Sequence, residues 1–499
     1  MSNLKSLGEY NFNLRNLQIY YIVFIFFIIF ISFSGSQTFS ELIGLGNSSM
    51  ILSNTTFNSL NPYFAVSNDS IFAVWVSNLS SNNSDIMFKK INDFSKSYSN
   101  TVNVSNAPGI SNLAKLNVND YNVYVTWEDK QSDKWNLLFS KSHNKGNNFD
   151  PIINLSDSTG NVHLHDLSSS GTNVFVVWAA NENISSSNKE VFFRKSNDGG
   201  DSFNYVLNLS HDHEDSLDPF MTINENGSII YIVWTKCAIK NDDPECGVAF
   251  ARSLDRGYTF TDPKIIDVDK FLTRGSISIR KTAIDVSSKG TPSYLSDNST
   301  LNERVGSINP IVFTSGDGKQ VYIIWEQNTF GKGDSEILLK ASNDYGDSFK
   351  STINISNSSG TSRLAHGDIL GEDLYVAWAD TLNQTGIFDI LVRKINPEVQ
   401  LGKVLNLSNN SGNSVSPYLR ISNNDKIYLT WIDSSNNSSI FLSRIDPSGS
   451  TFTKELFKSE LTVVITNPII IETRDKLWIS WTELTENMSK VVLMKQDKF

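Results

Sequence analysis

One strand pattern recurs along this chain and leaves few folds open to it. A short apolar run closes on tryptophan eight times: IFAVW at Trp75, VYVTW at Trp127, VFVVW at Trp178, IYIVW at Trp234, VYIIW at Trp325, LYVAW at Trp378, IYLTW at Trp431 and LWISW at Trp481. Successive tryptophans lie 50 to 56 residues apart, except for one interval of 91. A fixed period of this length marks a repeat architecture, in which each unit is one supersecondary element that cannot bury its apolar face alone. That period overrides the division into several domains that 499 residues would otherwise suggest.

Each unit follows one grammar. A first strand, often opened by proline as in NPYFAV from Asn61 or DPFMTI from Asp218, runs into a turn of Asn, Gly or Asp. The tryptophan strand follows, with apolar residues in period-two alternation. A polar loop leads to a third strand, such as EVFFRKS from Glu190 or EILLKAS from Glu336. A fourth strand closes on Asn-Leu-Ser or Asn-Ile-Ser at Asn154, Asn208, Asn354 and Asn406. Four strands in each period correspond to one blade of a β-propeller. The expected fold is therefore all-β: a β-propeller of four-stranded blades, eight in number, or seven if one unit is absorbed elsewhere. The last unit stops after its third strand, VVLMK from Val491, whereas SMILSNTT from Ser49 resembles a fourth strand. An N-terminal strand would then complete the last blade and close the ring, which removes open strand edges. The long interval carries an insertion at about residues 270–307 without a tryptophan strand. It reads either as a functional loop on a rigid scaffold or as a disordered excursion.

Residues 1–36 read as a separate segment, with the propeller occupying 37–499. Leu17 to Phe33 is an almost unbroken apolar run preceded by Lys5 and Arg15, and SFSGSQ from Ser32 offers small residues for cleavage. This is the pattern of a signal peptide or of a retained N-terminal membrane anchor. About nineteen Asn-x-Ser/Thr sequons, from Asn47 to Asn487, agree with export. So do the only two cysteines, Cys237 and Cys246, whose short separation suits a disulfide across one loop in an oxidising compartment. The expected location is extracellular or at the cell surface, secreted or anchored. A net charge of −11 argues against a nucleic-acid partner.

An eight-residue turn punctuates the units: SNDGGDSF from Ser196, SLDRGYTF from Ser253 and SNDYGDSF from Ser342, with SHNKGNNF from Ser142 as a variant carrying Asn144 in the acidic position. A short Asp side chain can accept hydrogen bonds from backbone N–H groups just beyond it, as in an Asx turn. Gly200, Gly257 and Gly346 supply positive φ, and Phe203, Phe260 and Phe349 re-enter the core. Asp198, Asp255 and Asp344 therefore read as structural staples. A calcium loop is the sharper alternative, because two copies place carboxylates three residues apart. The pattern Ser-x-Asp-x-Gly-x-Ser/Thr-Phe resembles the Asp box, or BNR repeat, of sialidases and many other propellers. The resemblance implies that these turns join third to fourth strands, opposite the face that carries sialidase active sites.

That assignment sorts the candidate residues. Acids follow the marker tryptophan at Glu128, Glu326, Asp380, Asp433 and Glu483. They read as turn residues capping the loop backbone, or as carboxylates ringing the upper mouth that bind sugar hydroxyls or a cation. His163, His165, His211, His213 and His366 fall in interblade connections or first strands. They read as solvated loop histidines or, with Asp212, Glu214 and Asp218, as ligands for a transition metal or other divalent ion. Sialidase chemistry, implied by the resemblance, requires an arginine triad for the substrate carboxylate, a Tyr nucleophile assisted by Glu, and an acidic Asp. Arg363, Arg420 and Tyr418 in first strands and Glu303 and Arg304 in the insertion are the candidates. The function expected first is non-catalytic binding of glycans or surface proteins. The alternatives are a sialidase-like exo-glycosidase and a metal-dependent enzyme using the histidines of the upper face.

Overall fold

A computed structural model of the protein describes residues 49–53, 57–67, 69–80, 82–92, 99–183, 185–212, 214–240, 243–267, 305–328, 335–382, 386–422, 424–434, 438–461, 464–474, 476–485 and 488–496. The expected signal or anchor segment, His213, Glu303, Arg304 and most of the expected insertion lie outside them. Among the described residues no helix is long and apolar enough to cross a membrane. The segment from Ser48 onward forms one compact unit.

The described residues of that segment are all-β. Its strands form four sheets of four strands and two of eight. Each eight-stranded sheet is two four-stranded meanders joined by a short parallel bridge, so one description serves every unit. The third unit is typical: Val162–Ser170, Asn173–Asn181, Lys189–Ser196 and Leu207–Asn208 pair antiparallel in chain order. In the last unit the fourth place is taken by Ser49–Ile51, which pairs with Ser489–Gln496. The first strands of the other units are Asn58–Ser67, Ile110–Asn119, Asp215–Ile223, Val305–Thr314, Ser362–Leu370, Ser414–Ile421 and Val464–Glu472. The strand from Val305 trims the expected insertion at its C-terminal end.

The tryptophan strands are buried on both faces, which corrects the expectation of alternation. Asn173–Asn181 is buried at every position but its ends, and all eight marker tryptophans are at most 1% exposed. Both faces are covered because each sheet packs between two neighbours. Eight apolar clusters each join two consecutive units. In one, Tyr124 and Phe139 of the second unit meet Val174 and Trp178 of the third. In the eighth, Ile71 and Trp75 of the first unit meet Trp478 and Val491 of the last. First strands also lie side by side in order, and Val464–Glu472 lies against Asn58–Ser67.

Cys237 and Cys246 are joined by a disulfide and sit directly opposite in a hairpin between second and third strands. By loop-closure entropy it contributes about 2–3 kcal/mol. Several fourth strands hold only two residues, such as Ile153–Asn154 and Leu207–Asn208. Short edge strands resist pairing with other chains.

Candidate functional site

The repeated turn joins third to fourth strands, as the resemblance implies, and it stitches neighbouring units together. Within the copy at Ser196, the Ser196 hydroxyl donates to Asp198 at 2.6 Å and accepts from the Gly200 N–H at 2.8 Å. Asp198 also accepts from the Ser202 N–H and hydroxyl. Burial opposes ionisation, but these hydrogen bonds hold the carboxyls of Asp198 and Asp344 down at about 2. Asn144 keeps the serine hydroxyl and backbone N–H bonds through one oxygen. The ring of Phe203 then meets Phe139 of the preceding unit edge-on at 4.9 Å, and Phe149, Phe260 and Phe349 repeat the contact. Lys141 of the preceding unit donates to the Gly199 carbonyl and pairs with Asp201, while Arg252 pairs with Asp347. In these two turns the second acid is the partner of a lysine or arginine of the preceding unit.

The acids after tryptophan do not ring an open mouth. Glu128, Glu326, Asp380 and Asp433 are all buried, and Glu483 is partly so. They fall into two sets, because successive strand residues point to opposite sheet faces. Those two places after tryptophan bond within their own unit and the connection leading into it. Asp380 accepts from the hydroxyls of Ser358 and Ser362, the Trp378 indole and the Leu382 N–H, all at 2.7–3.0 Å. Asp433 accepts from Ser414 and Asn410, and Glu483 from the Trp481 indole. Those one place after tryptophan reach the next unit. Glu326 accepts the Leu364 N–H at 2.9 Å, and burial raises its pKa against that bond and Arg363. Glu128 lies 3.6 Å from His165, with 6% and 1% of the two side chains exposed.

The first strands hold the feature that sequence reasoning missed. Each contains a register shift at an equivalent point. At each shift one residue is left-handed with φ of 50° to 58°: Asn61, Leu113, Leu164, Asp218, Asn309, Leu364, Ser416 and Asn467. Such bulges bend a strand and re-aim the side chains beyond. Leucine in this conformation costs roughly 1–2 kcal/mol, so packing must over-determine it. Five of the eight residues precede proline, which has no N–H to lose from the ladder. That dipeptide was the available signal. It also explains why strands expected to open at proline begin earlier, at Asn58 and Asp215.

Two residues past the bulge, five units present Tyr63, Lys115, Asp166, His366 and Tyr418, and neighbours along the series touch. The Lys115 ammonium lies 5.0 Å from the centre of the Tyr63 ring and 3.6 Å from Asp166. The rings of His366 and Tyr418 lie 4.3 Å apart. Asp166 accepts the Met221 N–H and His366 Nδ1 the Leu419 N–H, so each bridges to the next first strand. Two residues further, Asp368 accepts the Ile421 N–H and lies 3.9 Å from Arg420, half of whose side chain is exposed. Tyr63 and Tyr418 sense Arg420 and Lys115 electrostatically, which brings units from both ends of the chain into one polar cluster. Burial pushes the Tyr418 phenol up to about 12 and raises Asp368 against the pull of Arg420.

Burial, aided by Arg420, lowers His366 to about 4. A histidine depressed in the folded state contributes stability that is present above its unfolded pKa near 6.5. That stability is lost as pH falls through about 4, because only the unfolded chain binds the proton in between. The denaturation midpoint should drop between these pH values by about 1 kcal/mol of stability per unit. His366→Asn should flatten that stretch, and equal slopes in the two proteins would reject the assignment.

The remaining candidates do not gather. His163 precedes the bulge, His165 faces Glu128, and His211 is exposed with its N–H bound to Asn208. Asp212 and Glu214 both pair with Lys236, at 2.7 and 3.0 Å. Among the described residues no group of three or more His, Cys, Asp or Glu is placed to hold a metal ion. Arg363 stands one residue before its bulge, beside Glu326 and Ser335, whereas Arg420 stands four residues after its own. Equivalent strands thus hold them roughly 15 Å apart along the strand direction. A single carboxylate cannot be shared across that distance.

No protein-family model matches the chain, and no curated protein matches it. Among solved structures, it is similar to an α-L-arabinanase of Penicillium chrysogenum complexed with arabinobiose, at 12% identity and a TM-score of 0.38, over 71% of this chain and 98% of that one. It is similar to the NanB sialidase of Streptococcus pneumoniae at 8% identity and 0.36, over 90% and 93%. It is also similar to an ulvan lyase at 10% and 0.41, over 66% and 79%.

Proposed function

We propose that the eight units are the blades of a closed propeller of the Asp-box class, and that the protein is an exported or surface-held receptor for glycans or surface proteins, without catalysis. The ring reading is supported by the packing of the first unit on the last and by Ser49–Ile51 serving as the final outer strand. The binding reading is carried by one observation: none of the five acids after tryptophan faces an open mouth, since each is buried or hydrogen-bonded within the scaffold. Two further points favour it. Arg363 and Arg420 stand at different levels, and a phenol raised to about 12 is a poor nucleophile. The guanidinium of Arg420, half of whose side chain is exposed, offers a charged donor suited to a sugar or an acidic partner.

The test is a glycan array run beside fluorogenic sialoside and arabinoside assays on the exported protein. Binding without turnover is expected, with Arg420→Ala weakening the bound glycan at least about tenfold, as for loss of a charge-assisted contact. Hydrolysis abolished by Arg363→Ala or Arg420→Ala would overturn this reading in favour of a glycosidase.

A further inference from the structure

We propose that the fold divides the Asn-x-Ser/Thr sequons into two kinds, loop sites that carry N-linked glycans and strand sites that do not. This rests on the export reading above. The strand kind is represented by the fourth-strand sequons Asn103, Asn154, Asn208, Asn354 and Asn406, all in two-residue strands. In each, the sequon serine is buried and its hydroxyl accepts one third-strand N–H: Ile86, Leu137, Val191, Ile337 and Ile390 in turn. In four of the five the same hydroxyl donates to the acid before that N–H: Asp85, Glu190, Glu336 or Asp389. The asparagine completes the staple. Its amide donates to Asp85 from Asn103 at 2.7 Å and to Asp389 from Asn406 at 3.0 Å, while Asn354 bonds Glu336. Asn154 donates to Asn136, which replaces the acid in that unit.

Glycosylation forms a bond from asparagine Nδ2 to the anomeric carbon of a lipid-phosphate-linked oligosaccharide. The anomeric C–O bond to phosphate breaks, the lipid phosphate leaves, and a proton passes from Nδ2 to a base of the transferase. That chemistry needs an amide free to leave the protein surface, hence an exposed loop. The nitrogens of Asn103 and Asn406 instead donate to carboxylates inside the sheet, so a glycan there would dismantle the staple. The loop kind is represented by Asn183, Asn226, Asn357 and Asn409, all exposed.

The sharpest contrast lies within two short segments. NISNSS holds Asn354 and Asn357, and NLSNNS holds Asn406 and Asn409. In both, the second asparagine has left-handed φ, 44° or 42°, and its backbone N–H donates to the first asparagine's side chain. Two sequons three residues apart are thus assigned opposite fates.

The experiment is site-resolved glycopeptide mass spectrometry on full-length protein secreted folded from a host with an N-glycosylating export pathway. Glycan is expected on Asn357 and Asn409, with Asn354 and Asn406 unmodified. Asn357→Gly, which keeps the left-handed position without strain, should remove one glycan mass and leave the denaturation midpoint unchanged. Asn354→Gln should leave the glycan mass unchanged and lower the midpoint. Occupancy at Asn354 or Asn406 in the folded protein, or bare asparagines throughout a secreted product, would overturn the proposal. Failure to be secreted at all would instead count against the export reading.

Discussion

Asp380→Ala is expected to lower stability by about 3–5 kcal/mol, the range for removing one partner of a buried, fully engaged charged network. Four donors lose their acceptor at once: two serine hydroxyls, the Trp378 indole and the Leu382 N–H. Asp380 is wholly buried, so water cannot replace it without opening the sheet. The measurement is a denaturant titration by tryptophan fluorescence, paired with ligand binding on the folded fraction. Affinity should be unchanged. A variant of normal midpoint that fails to bind would return Asp380 to the role of a sugar- or cation-binding carboxylate.

Gly200→Ala is expected to cost about 2–4 kcal/mol, against about 1 kcal/mol for Gly171→Ala. Both glycines have positive φ, 83° and 58°, so both substitutions meet the left-handed penalty. Only at Gly200 would the added methyl group also strike a neighbour, lying 2.7 Å from Phe139 of the preceding unit, whereas Gly171 has nothing within 4 Å. The difference between the two midpoints isolates the contact between units. Equal losses would mean that the glycine of this turn serves its own turn alone.

Much of the fold was legible because it repeats. A tryptophan strand buried on both faces must read as an apolar run wherever it occurs, and four strands per period left little choice of unit. The repeated turn was legible as a staple, since Ser196, Asp198 and Gly200 act on one another within five residues. Its reach to Phe139 and Lys141 was not, because those residues belong to the unit before. The acids after tryptophan were visible as a set but not by facing. The signal that would have sorted two of them is the serine opposite in the first strand, Ser362 for Asp380 and Ser414 for Asp433, and it only carries meaning once the register is known. The sequons Asn354 and Asn357 match the same pattern, yet only strand pairing separates a buried hydroxyl from an exposed loop.

The sequence by itself determined the period, the all-β unit, the hydrogen-bonded turn and the cysteine pair that the structure joins. Each of these is set within one unit, by alternation, turn chemistry and short separations. Only the tertiary structure decided which polar residues meet. Tyr63 and Arg420 stand more than three hundred residues apart and interact because their strands bulge at an equivalent point and lie along one series of first strands. That meeting depends on how sheets pack on their neighbours, a non-local balance of apolar burial and backbone strain that no window of sequence contains.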